Sequence, residues 1–131
     1  MTFNQDISNW DVSNATFFTQ MFQYCTGFNQ PIGNWTTTNM QYIGSMLSHC
    51  SGFDQDLSNW VVTGVTNAGN FMDGSTLSTT NYDRTLSGWS SQSVNSLLIS
   101  FGNSQYSSAT GAAYRATLVS KGWTITDGGA V

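Results

Sequence analysis

The chain of 131 residues is 39% hydrophobic and 14% aromatic, enough for one domain with a real core and too much for a disordered tail. Its only cations are Arg84, Arg115 and Lys121, against seven Asp and no Glu, so it lacks the clustered Lys and Arg that grip nucleic acid phosphates or anionic lipid, and both partners are excluded. No apolar run approaches the roughly 20 residues that cross a bilayer, and the polar start MTFNQD is no signal peptide, so membrane insertion is not expected.

The chain opens almost directly on a repeat, as a fragment of a longer array does. FNQDISNW at 3–10 returns as FNQPIGNW at 28–35 and FDQDLSNW at 53–60, a period of 25 residues that aligns Phe3, Phe28 and Phe53, then Ile7, Ile32 and Leu57, then Trp10, Trp35 and Trp60. In the first copy Ile7, Trp10 and Val12 follow an L-x-x-L-x-L spacing, with Trp10 and Val12 on one face of an extended segment. Ala15, Phe18, Met21 and Phe22 then recur at a 3–4 spacing, which predicts a short helix.

Copies two and three repeat both features, with Ile32, Trp35 and Thr37 before Met40, Ile43, Met46 and Leu47, and Leu57, Trp60 and Val62 before Val65, Ala68, Phe71 and Met72. Each copy therefore reads as strand, turn, short helix and loop. One such unit cannot bury its own apolar face, so the predicted arrangement stacks like residues on like, with the three Trp as a ladder.

From about residue 79 the repeat stops. NYDRTLSGW suggests a helix, SLLISFG a strand, SATGAAYRATLVSKG a second helix ended by Gly122, and WTITDGG a final strand. Residues 79–131 read as a C-terminal cap, because terminal units of repeat arrays must shield the last exposed unit.

The pattern F-N-Q-D-I-S-N-W-D-V-S-N followed by a helical M-F resembles the 25-residue repeat of BspA-like leucine-rich-repeat surface proteins, a pattern also found in mycoplasma surface lipoproteins and in bacterial and phage sequences. The tail, with GNSQYSS and LVSKGWTITDGG, looks like the segment that closes such arrays. Together these readings predict an α/β repeat: a leucine-rich-repeat-like right-handed solenoid of three repeats over residues 1–78 and an α/β cap over 79–131, in one continuous domain. The resemblance implies a role in surface attachment.

Several residues carry candidate chemistry. Cys25 and Cys50 occupy the same position in adjacent copies, which fits either a disulfide or two buried thiols packed as small apolar residues. Asp6, Asp54 and Asp56 sit in equivalent loops and are weak calcium candidates; Pro31 interrupts their column, no Glu offers bidentate ligation, and turn chemistry explains them without a metal. His49 is the only histidine, too little for a metal set, and nothing around it in MLSHCSG resembles a nucleophile turn; no convergent acid/base pair appears, so neither an enzyme nor a cofactor is expected.

The outward strand face carries Asn9, Asp11 and Ser13, then Asn34, Thr36 and Thr38, then Asn59, Val61 and Thr63. A polar, uncharged, slightly curved surface of this kind is where repeat proteins bind an extended ligand, and its alternative is plain solvation. The expected role is a non-enzymatic binding module, extracellular, on a cell or virion surface, contacting protein or glycan on a cell. The alternative is a structural module that self-associates into an oligomer or fibre through an uncapped first rung.

Overall fold

The computed structural model describes residues 2–131. Its regular elements gather in the second half: helix α1 (Thr79–Ser90), strand β1 (Leu97–Ser100), helix α2 (Gly111–Ser120) and strand β2 (Trp123–Thr126), after a single 3-10 turn at Ile32–Asn34. β1 and β2 pair in parallel from Leu97↔Trp123 to Ser100↔Thr126, with α2 as the crossover that parallel pairing requires.

Local chemistry accounts for these elements. Ser78 caps α1 by accepting from the Asn81 amide at 3.2 Å, and Tyr82, Thr85, Leu86 and Trp89 line its buried face. Gly122, at φ +103, ends α2 in a conformation other side chains resist. The flank of α2 is pinned by Arg115, whose Nε donates to Asp127 Oδ2 at 2.7 Å.

The expected leucine-rich-repeat-like solenoid of three strand–helix units is overturned. Among the described residues, 2–78 hold no α-helix and no strand, only the 3-10 turn at Ile32–Asn34 and isolated parallel bridges such as Phe17↔Tyr42 and Tyr42↔Asn67. The result is a small α/β fold with two α-helices and an open two-stranded parallel sheet.

The helix expectation fails for a backbone reason. Gln20, Tyr24, Ser45, His49, Asn70 and Gly74 have φ between 55 and 76°, left-handed values that no right-handed helix contains. Their segments are successive tight turns, and their amides bond forward to other segments instead of to the carbonyl four residues back. Phe18, Gln20, Phe22 and Tyr24 donate to the carbonyls of Tyr42, Gly44, Met46 and Ser48 at 2.8–3.0 Å. The 3–4 spacing of apolar residues serves this turn ribbon as well as it would a helix.

The strand expectation fails because side chains occupy the ladder positions. The Thr37 hydroxyl accepts from the Val61 amide at 2.8 Å and donates to the Val61 carbonyl at 3.3 Å. The Val62 amide goes to Gln92 Oε1 at 2.8 Å.

The core runs from the repeated segments into the tail without a break. Phe28 stacks on Phe22 and Phe53 at 4.2 and 5.9 Å, and Phe71 meets Trp89 and Phe101 at 6.1 and 6.0 Å. The stacked tryptophan pair is Trp60–Trp89, at 6.4 Å and 15°, so a tail residue takes part where the three repeat tryptophans were expected. Trp10 is 53% exposed while Trp35 is 3%.

Candidate functional site

Of the nine outward-face residues, Asn34, Thr36, Thr38, Asn59 and Val61 come together. With Gly33, Trp35 and Thr37 they line a shallow depression of about 330 Å³. Local structure positions each of them. The 3-10 turn at Ile32–Asn34 starts one wall, and Gly33 is required there because the Asp56 carbonyl oxygen occupies the place a Cβ would take. The double hydrogen bond between Thr37 and Val61 fixes the two walls at one separation.

Asn34, Thr36, Thr38 and Asn59 are exposed, and Val61 is half-buried. The lining holds amides, hydroxyls and backbone edges and no titratable side chain, so it can exchange hydrogen bonds with hydroxyl-rich or peptide ligands and cannot run acid–base chemistry. Trp35 offers no stacking platform, because its ring is buried and its indole N–H donates to the Ile7 carbonyl at 3.0 Å.

The other face residues stand apart from this depression. Asp11 Oδ1 accepts from the Ser13 amide at 3.0 Å and its hydroxyl at 2.6 Å, which holds the Asp11 carboxyl below its ordinary range. The Ser13 carbonyl accepts from Asn39 Nδ2 at 2.7 Å, and the Thr63 carbonyl from Asn95 Nδ2 at 3.3 Å. Asn9 is exposed and outside the lining.

The weak calcium candidates do not converge. Asp6 Oδ1 accepts from the Ser8 hydroxyl and amide at 2.6 and 3.0 Å, and Asp56 Oδ1 from the Ser58 amide at 2.8 Å. Asp54 Oδ1 bonds the Ser78 amide and Asn81 Nδ2 at 2.8 and 3.0 Å. Among the described residues no three His, Cys, Asp or Glu side chains gather into a metal-sized group, and turn chemistry accounts for these carboxylates.

Cys25 and Cys50 are buried free thiols. The Cys50 thiol is turned onto the Phe22 carbonyl at 2.9 Å, and burial pushes its pKa up to about 11. His49 is exposed and stacks on Tyr24 at 4.7 Å. Its Nδ1 lies 2.8 Å from the hydroxyl of Ser48, which is buried and also bonds the Asp73 backbone carbonyl at 3.1 Å, so no carboxylate relay forms.

Sequence reasoning missed Thr37 as the residue that holds the walls. Its signal was present: Thr37 stands where the other copies carry Val12 and Val62, a hydroxyl in an otherwise apolar column. The Tyr82–Asp127–Arg115 cluster, with Tyr82 Oη donating to Asp127 Oδ2 at 2.6 Å, carried no sequence signal, since its members lie in three separate segments.

A family model described as "Mycoplasma protein of unknown function, DUF285" matches residues 1–89. No curated protein and no solved structure matches the chain.

Proposed function

The chain belongs to the DUF285 family of mycoplasma proteins, and from that premise we propose that it is a non-enzymatic, extracellular binding module on a cell or virion surface that contacts protein or glycan on a cell through the Asn34–Thr38 depression. One observation carries the reading: a shallow recess lined by uncharged hydroxyls and amides and held at fixed width by the buried Thr37 hydroxyl. Fixed, uncharged donors and acceptors suit ligands that are themselves neutral and rich in hydroxyl or amide groups, because no wall has to reorganise on binding. The repeat's resemblance to BspA-like surface proteins supports the same compartment.

The test is binding of the chain to glycan arrays and to intact cells, alongside Thr36→Trp and Asn59→Ala variants. Both positions are exposed, so the variants should keep the parent's thermal midpoint. Loss of binding in folded variants supports the reading; retention of full binding by both removes it.

A further inference from the structure

One side chain shows what group the backbone of the third copy accepts. Gln92 Nε2 donates to the Trp60 carbonyl at 2.8 Å, and Gln92 Oε1 accepts from the Val62 amide at 2.8 Å. A single carboxamide thus spans a carbonyl and the amide two residues on.

The 25-residue period places the same pair in the second copy at the Trp35 carbonyl and the Thr37 amide. Neither group has a hydrogen-bond partner among the described residues. Yet Trp35 and Thr37 are only 3% and 2% exposed, and buried backbone groups are paired in the great majority of native proteins. Both residues line the depression that also holds Asn34, Thr36, Asn59 and Val61, whereas the corresponding first-copy residues, Trp10 and Val12, do not.

The chemistry of the pair narrows its occupant. A carboxylate has two acceptors and would set one against the Trp35 carbonyl; an ammonium has only donors and would set one against the Thr37 amide. A hydroxyl is used in this recess for a different pair, with Thr37 Oγ1 spanning the amide and carbonyl of one residue, Val61, at 2.8 and 3.3 Å. The acetamido group of a sugar is a secondary trans amide, whose N–H and C=O point in opposite directions. A primary carboxamide holds one donor and one acceptor side by side.

We propose that the depression takes a primary carboxamide, the Asn or Gln side chain of a protein partner, which seats on the Trp35 carbonyl and the Thr37 amide as Gln92 seats on Trp60 and Val62. This rests on the depression being the binding site and narrows its ligand from protein or glycan to protein. Asn34, Thr36 and Asn59, exposed in the same lining, are left for the partner's main chain.

The test follows backbone amide resonances of the full chain while it is titrated with the tripeptide Gly-Gln-Gly, acetylated at one end and N-methylamidated at the other so that Gln carries its only primary carboxamide. Gly-Met-Gly with the same caps, similar in shape and without a carboxamide, and N-acetylglucosamine are the comparison probes. The expected result is a saturable downfield shift of the Thr37 amide proton with the Gln peptide, binding of the Met peptide about tenfold weaker for the two lost hydrogen bonds, and loss of the shift in Thr36→Trp, which fills the depression. A Thr37 amide that the Gln peptide leaves unmoved, or equal binding of the Gln and Met peptides, overturns the proposal. If N-acetylglucosamine moves that amide and the Gln peptide does not, the depression is a glycan site, and this inference falls while the functional reading stands. If neither moves it and cell binding survives Thr36→Trp, both fall.

Discussion

Trp60 donates its indole N–H to the carbonyl oxygen of Ile32 at 2.9 Å, in the interior of the protein. Trp35 does the same to Ile7, and Trp89 to Leu57, at 3.0 and 2.8 Å. Each bond is the second that its turn carbonyl accepts, since the Trp10, Trp35 and Trp60 amides already reach the Ile7, Ile32 and Leu57 carbonyls at 3.0, 3.0 and 3.1 Å. The tryptophan thus contributes its N–H as well as its ring, and a Phe would leave each carbonyl with one hydrogen bond instead of two.

Trp60→Phe tests this directly. It keeps an aromatic body in the core and removes one of the two hydrogen bonds to the Ile32 carbonyl, which the Trp35 amide still holds at 3.0 Å, so it should cost about 0.5–1.5 kcal/mol. Trp10→Phe, at an exposed ring, should stay within about 0.5 kcal/mol of the parent. Urea denaturation midpoints separate the two; equal shifts would show that ring volume alone matters.

Gly88 sits inside α1, where Gly→Ala ordinarily stabilises by up to about 1 kcal/mol. Here the Ser58 carbonyl oxygen lies where the new Cβ would go, so α1 would have to lift from the 57–60 segment that Trp89 and Thr85 bond. The Leu57 amide, which donates to Thr85 Oγ1 at 3.2 Å, would be strained with it. Gly88→Ala should lower stability by about 1–3 kcal/mol, and a raised melting temperature would show that the approach of α1 is looser than this geometry requires.

Asp127 joins three parts of the tail. Its carboxylate takes the Tyr82 hydroxyl at 2.6 Å and Arg115 Nε at 2.7 Å, and its Oδ1 takes the Gly129 amide at 3.0 Å. Burial first, and then the neighbouring carboxylate, hold the Tyr82 hydroxyl protonated far above its ordinary range. Asp127→Ala should cost about 2–4 kcal/mol, below the upper end for buried pairs because Arg115 keeps partial access to water. Tyr82→Phe should cost about 1 kcal/mol, and the double variant should cost less than the sum, since both remove one bond. Additive losses in denaturation would place the Tyr82 contact outside the network.

The elements of the tail were legible in the sequence, while the backbone of the repeats was not. The stretch NYDRTLSGW and the stop at Gly122 pointed to α1 and the end of α2, because local pattern and capping decide such elements. Phe18, Met21 and Phe22 gave an equally good helical spacing and became turns, because the left-handed values at Gln20 and Tyr24 depend on amides finding carbonyls 24 residues away. That is a tertiary condition no local pattern reports. The polar face divided for a similar reason: Asn34, Thr36, Thr38, Asn59 and Val61 share one recess because Thr37 ties it to Val61, while Asn9 and Asp11 lie beyond its reach.

Asp6 and Asp11 allow a prediction about acid. Each carboxylate accepts from a serine hydroxyl and amide two residues on, and these bonds, the hydroxyl's first, lower the carboxyl pKa in the folded chain. In the unfolded chain an Asp titrates near about 3.9. Between the two values the unfolded state binds more protons, so the stabilisation is full above the unfolded pKa and drains away as pH falls through the folded one. Urea midpoints measured from pH 5 down to pH 2 should therefore decline, and the decline should be shallower in a Ser8→Ala, Ser13→Ala double variant, whose carboxylates have lost the hydroxyl bond. Parallel curves for parent and variant would mean that the two serine turns persist in the unfolded chain, leaving no difference in proton affinity for folding to draw on.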